Sequence, residues 1–216
     1  MAPAAHPARR LSGTMVVLGW TGTIVVDADR MRAALNAVLS ARGLPSLGEA
    51  EFAARFRLPM ARVFADLGMV GEEAATAEAE WSDELGRTRA HLREGVAEVL
   101  VDLAAAGCWL GVVSSASAAA IRYDQRTLQV PAVFHSITPS VADRYETLVR
   151  LRPQRAEALF VGDTTDEMRS ASAAGYAAVG VACDGDAAEA LRCAGATAVI
   201  EDLAGLAVLI DQVAVA

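Results

Sequence analysis

The chain contains no lysine: all nineteen of its cationic side chains are arginine. No side-chain Schiff base with a carbonyl substrate can therefore form, and any positive charge offered to a ligand must come from Arg, the N-terminus or a metal. Cysteine is scarce as well. Cys108, Cys183 and Cys193 are odd in number and lack Cys-x-x-Cys spacing, which points away from a disulfide framework and from a zinc site and toward reduced thiols in the cytoplasm. Long apolar runs are missing too. Gly, Asp and Arg interrupt each one well before the roughly 18 continuous apolar residues of a membrane span. Basic charge is also short, with 27 acidic residues against 19 basic ones and a formal net charge of −8. That balance argues against a nucleic-acid groove, which needs clustered cations, and leaves room for a local anion pocket.

What is present suits a globular protein. The chain has 216 residues, 54% hydrophobic and 21% charged, enough for one large domain or a core with an insert. Residues 1–12 read as a disordered tail, because MAPAAHPARR is not followed by the apolar core of a signal peptide. Met15-Val16-Val17-Leu18 has the aliphatic, β-branched character of a strand buried on both faces. It breaks at Gly19-Trp20-Thr21-Gly22-Thr23. After Asp27 the periodicity becomes helical, with apolar residues at Met31, Leu35, Val38 and Leu39 and a stop at Gly43. Two short helices follow, the second starting at Pro59, and then a longer one from Glu72 to about Leu92. From Gly95 onward strands (CWLGVV, AVFHSI, ALFVG, AAVGVA, TAVI) alternate with helices, the pattern of βαβ units. The expected fold is α/β: a doubly wound, Rossmann-like parallel sheet built from residues 13–27 and 95–216, with an all-helical cap, residues 28–94, inserted into it.

In such a sheet the ends of the strands at Leu18, Val113 and Val161 lie side by side, and ligands bind beyond them. Their loops carry Gly19 to Thr23, Ser114-Ser115 and Asp163 to Glu167, so hydroxyls and acids gather at one edge. Several of these residues have a structural alternative. Asp27 suits a helix N-cap before Ala28, and Ser114 or Ser115 suits the cap of the helix after them; Glu167 suits the first turn of its own helix. His91 is expected on the surface or in the packing of a cap helix, and His135 within the strand AVFHSI. Arg57, Arg62, Trp81 and Tyr123 are candidates for a cap-side pocket.

The order of these loops resembles the haloacid dehalogenase-like (HAD) superfamily, in its C1-capped, phosphatase- and phosphonatase-like branch. There a first strand ends in Asp-x-Asp-Gly-Thr; here Gly22-Thr23 remain, and Gly19 and Thr21 stand at the two aspartate positions. Ser114 after LGVV resembles the second signature. Arg144 in Val141-Ala142-Asp143-Arg144 resembles the cation that holds nucleophile and phosphate together. Val161-Gly162-Asp163-Thr164 with Asp166-Glu167 resembles the fourth signature, whose acids ligate magnesium. The resemblance implies a ligand crevice between core and cap formed by Trp20, Thr21, Gly22, Thr23, Ser114, Ser115 and Arg144, open to a small anionic or polar ligand, and at most a weak magnesium site at Asp163, Asp166 and Glu167. It also implies that the aspartate nucleophile and the acid/base are lost. Phosphatase, dehalogenase and phosphonatase chemistry is then not expected, the last also for want of lysine. The resulting reading is a non-hydrolytic pseudoenzyme, or an accessory or binding protein. The alternatives are an enzyme of altered chemistry in the same crevice and a residual magnesium-dependent phosphatase. Neither nucleic acid nor a membrane is expected as a partner, and the sequence names no particular protein partner.

Overall fold

The computed structural model describes residues 11–56, 60–87 and 89–213. Most of the expected tail, together with Arg57, Leu58 and Pro59, lies outside them. In chain order the elements are β1 (Thr14–Leu18), β2 (Val25–Val26), α1 (Ala28–Ala41), α2 (Glu49–Arg55), α3 (Met60–Asp66), α4 (Glu72–Arg87), β3 (His91–Leu92), α5 (Val96–Ala105), β4 (Trp109–Val113), α6 (Ala118–Thr127), β5 (Ser136–Thr138), α7 (Arg144–Leu151), β6 (Glu157–Gly162), α8 (Thr165–Ala173), β7 (Ala177–Val181), α9 (Gly185–Cys193), β8 (Ala198–Ile200) and α10 (Ala204–Val213). A short 3₁₀ turn, Arg152–Gln154, joins α7 to β6.

Six strands form one parallel sheet in the order β5-β4-β1-β6-β7-β8. All five residues of β1 and of β4 are buried, as strands covered by helices on both faces require. The register sets Leu18 opposite Val112 on one side and Val161 on the other. The residues that follow, Gly19, Ser114 and Asp163, therefore emerge from neighbouring strands at one edge. Val25–Val26 and His91–Leu92 make a separate two-stranded sheet.

By its contacts the chain forms two compact units: the described parts of Met1–Val25 with Leu92–Ala216, and Val26–His91. The first is packed around Met15, Val17, Phe160, Met168 and Ala178. The second is helical and has its own core of Leu35, Val38, Phe52, Met60, Phe64 and Trp81. Within it Asn36 exchanges two hydrogen bonds with the backbone of Leu47, donating from Nδ2 at 3.0 Å and accepting at Oδ1 at 2.8 Å. Among the described residues no helix is long and apolar enough to cross a membrane.

Three local expectations are corrected. The fourth helix stops at Arg87, and His91 lies in β3 rather than on a helix, because the chain there pairs as a strand and Arg93 N–H goes on to donate to the Ile24 carbonyl. His135 precedes its strand instead of lying in it. Its N–H donates to the Leu110 carbonyl while its Nδ1 accepts from Leu110 N–H at 3.2 Å, and the ring stacks on Trp109. Asp27 does occupy the N-cap position of α1, but its carboxylate caps nothing and pairs with Arg30 instead.

Candidate functional site

The first loop is a tight turn. The Trp20 carbonyl accepts from Ile24 and Val25 N–H, Gly22 N–H donates to the Val25 carbonyl, and Thr21 bridges to Val25. Gly22 has φ +83°, a left-handed conformation natural to glycine, and a Cβ there would fall 2.0 Å from Asp163 Oδ2. Arg93, which the sequence reading did not single out, closes the turn from outside: its guanidinium donates to the Gly22 carbonyl and, at 3.1 Å, to the Thr23 carbonyl. No local pattern reveals it, since its partners lie about seventy residues earlier in the chain.

Trp20, Thr23 and Ser114, all expected to bind a ligand, have partners within the protein. Trp20 is 1% exposed; its indole N–H donates to Asp124 on α6 at 2.9 Å and its ring meets Phe134 edge-on. It belongs to the core, not to a pocket floor. An indole N–H taken out of water needs such a partner. Thr23 is fully buried and donates to Asp163 Oδ1 at 3.1 Å. Ser114 Oγ accepts from Ala116 N–H, and its backbone joins Thr138 and Val141. Neither Ser114 nor Ser115 caps the following helix; Ser117 does, accepting from Ala120 N–H at 3.1 Å. Trp81 is buried in the helical unit with its N–H on the Met31 carbonyl, while Arg62 and Tyr123 are exposed.

The three acids beyond β6 separate. Thr164 and Glu167 form a reciprocal capping box at the start of α8, a Thr-x-x-Glu pattern legible in sequence. Glu167 Oε2 accepts from Asp163 and Thr164 N–H at 3.0 and 3.1 Å. Asp166 points to solvent and pairs with Arg144 Nη1 at 2.7 Å; Arg144 Nη2 stands 3.5 Å from Glu167 Oε1. Arg144 is the first residue of α7, after the N-cap Asp143, and its buried Nε–H has no hydrogen-bond partner. Asp163 is pushed up to about 7, chiefly by burial and then by the negative charge of Glu167; the Thr23 hydroxyl and Arg93 oppose the shift without cancelling it.

The three acids named for magnesium are engaged separately in this arrangement. Among the described residues no three His, Cys, Asp or Glu side chains converge as metal donors. A hard divalent cation needs several oxygens aimed at one point. Here one carboxylate holds a helix start, one a guanidinium and one a buried hydroxyl, so the donor set does not fit. Two hollows, of about 350 and 520 Å³, lie in the helical unit, one lined by Ala61, Ala65, Met69 and Ala74 and the other by Arg42, Glu72, Glu73 and Glu80.

A profile of the haloacid dehalogenase-like hydrolases matches residues 21–181. The chain belongs to that family. Solved structures of the HAD fold superimpose along nearly the whole chain. A predicted phosphoglycolate phosphatase from Haemophilus somnus gives a TM-score of 0.77 at 16% identity, covering 95% of this chain and 100% of that one. A haloacid dehalogenase-like hydrolase from Streptococcus pneumoniae gives 0.76 at 15%, covering 92% and 99%. CbbY from Rhodobacter sphaeroides, in complex with phosphate, gives 0.69 at 19%, covering 91% and 96%. At such identities the likeness is one of fold. No curated protein matches the sequence significantly. Within this HAD fold, the turn after β1, Ser114, Arg144 and the start of α8 share one edge of the sheet.

Proposed function

We propose that this chain is a HAD-fold protein that does not hydrolyse phosphate esters and acts instead as an accessory or binding protein. One observation carries the reading. Gly19, the first residue past the central strand, has no side chain, and a Cβ built on it would lie 2.9 Å from both Glu167 Oε1 and Thr23 Oγ1. A covalent nucleophile must project from its Cβ toward its substrate, and here the place of that Cβ is crowded from two sides. Thr21 in turn cannot exchange a proton near neutral pH as a carboxylate can, and positioned acid–base groups contribute roughly 10²- to 10⁴-fold. Three free cysteines, two of them exposed, support a reducing, cytoplasmic setting. The test is turnover: purified protein with magnesium is offered a panel of phosphate monoesters, and hydrolysis above the buffer rate that survives repurification contradicts the reading.

A second reading, an enzyme of altered chemistry, is favoured by Asp163. A carboxyl group pushed up to about 7 at the ligand edge of a sheet can accept and return a proton at physiological pH. Under this reading Asp163→Asn abolishes any activity found with non-phosphate substrates. Survival of that activity in the variant rejects it.

A further inference from the structure

We infer that Glu167 is the built-in counter-ion of Arg144, lodged in side-chain space that two glycines leave open, and that Arg144 is thereby withheld from phosphate-type anions. The inference rests on the non-hydrolytic reading above and narrows its ligand class. Glu167 is 4% exposed, and its carboxylate lies across two adjacent strand ends. Oε1 sits 2.9 Å from where a Gly19 Cβ would be, and Oε2 sits 2.6 Å from where a Gly162 Cβ would be. A Cβ at either position would press on this carboxylate and require it to shift. Its Oε2 is fixed by two backbone N–H groups, so Oε1 has little freedom beside Arg144 Nη2.

The position is that of a filler, not of a substitute nucleophile. Oε1 lies beside the root of the side chain that Gly19 lacks, whereas a reactive carboxylate would reach further out. Its effect is electrostatic. The guanidinium of Arg144 faces two carboxylates, Glu167 and Asp166, and its Nε–H is buried. Arg93, the neighbouring cation, is spent on the Gly22 and Thr23 carbonyls. An arriving phosphate could displace the exposed Asp166 at small cost. Glu167 cannot leave without uncapping α8, and breaking one side of a buried charge pair is strongly unfavourable. Phosphate therefore meets a site whose positive charge is already matched.

Inorganic phosphate is the probe, titrated calorimetrically into the intact protein. Wild type is expected to bind at best weakly, in the millimolar range or above. Glu167→Gln removes the charge and keeps a capping oxygen, because the capping box accepts Gln; it is expected to bind roughly tenfold tighter or more, the buried counter-charge of Arg144 having been removed. Adding Arg144→Ala to that variant is expected to return binding to the wild-type level. Equal affinity of wild type and Glu167→Gln overturns the inference, as does a gain that persists without Arg144. Should Glu167→Gln fail to fold, Arg144→Met in the wild-type background decides: an unchanged phosphate isotherm supports the inference, and lost affinity overturns it. Tight phosphate binding by wild type without ester turnover would overturn this inference alone, whereas turnover strikes at the non-hydrolytic reading.

Discussion

Thr23 donates its hydroxyl hydrogen to Asp163 Oδ1 at 3.1 Å, joining two loops that are 140 residues apart in sequence. The bond links the turn after β1 to the turn after β6 beneath Gly22, whose missing Cβ lets the carboxylate approach. Burial makes the charge on Asp163 costly, and the Glu167 carboxylate adds to that cost.

A pH dependence of stability follows. An aspartate in the unfolded chain releases its proton near pH 4, whereas folded Asp163 holds it to about 7. Between those values the folded state binds more protons. The contribution of this group is therefore greatest below about pH 4 and is lost as pH rises to about 7. Asp163→Asn abolishes that dependence. Urea unfolding across this range should show wild type losing stability relative to the variant as pH rises; parallel pH courses in the two proteins would contradict the assignment.

Trp20→Phe tests whether this tryptophan is core or pocket. The substitution deletes the N–H that reaches Asp124 at 2.9 Å and trims the ring that meets Phe134 edge-on. The expected loss of stability is about 0.5–1.5 kcal/mol for the hydrogen bond removed, read as a lower urea midpoint at unchanged slope. A variant as stable as wild type would return Trp20 to the surface of a pocket.

The thiols separate by environment. Cys108 is buried, burial pushes its thiol up to about 11, and its Sγ lies 3.5 Å from the Thr14 carbonyl. Cys183 and Cys193 are exposed. Titration of native protein with a thiol reagent is expected to modify two cysteines quickly and the third only on unfolding, because reactivity follows thiolate access. Three equally fast thiols would be inconsistent with a closed sheet around β4.

The sheet, and the edge at which its loops gather, were legible in the sequence because both rest on local signals. Met15 to Leu18 is a continuous apolar strand, and Thr164-Thr165-Asp166-Glu167 is a capping box whether or not it touches anything else. The partners of the loop residues were not legible. Trp20 looks like a ligand contact until Asp124 and Phe134 are seen on either side of it, and Arg93 has no motif until its two carbonyl partners arrive from across the chain. His91 was misread for a related reason. Helical periodicity runs up to Arg87, and only pairing with a distant strand marks where the chain becomes extended.

Gly19 brings these points to a single substitution series. Alanine replaces glycine at small cost, or with gain, where backbone and space permit. At position 19 the new Cβ would stand 2.9 Å from two oxygens: Glu167 Oε1, which faces Arg144 and whose partner oxygen Oε2 is held by the turn before α8, and Thr23 Oγ1, which is bonded to Asp163. Gly19→Ala is expected to cost about 1–3 kcal/mol through overpacking. Gly13→Ala, where a Cβ meets nothing within 4 Å, is expected to stay within about 0.5 kcal/mol of wild type. Shortening the intruding acid with Glu167→Asp should relieve part of the Gly19→Ala penalty, a coupling that a double-mutant cycle reads directly. The same crowding means that Gly19→Asp/Thr21→Asp is not expected to create a phosphatase while Glu167 remains. Phosphate-ester turnover by that double variant in an otherwise unchanged chain would show that Glu167 yields its place readily, and a Gly19→Ala protein as stable as wild type would show the same without any assay of activity.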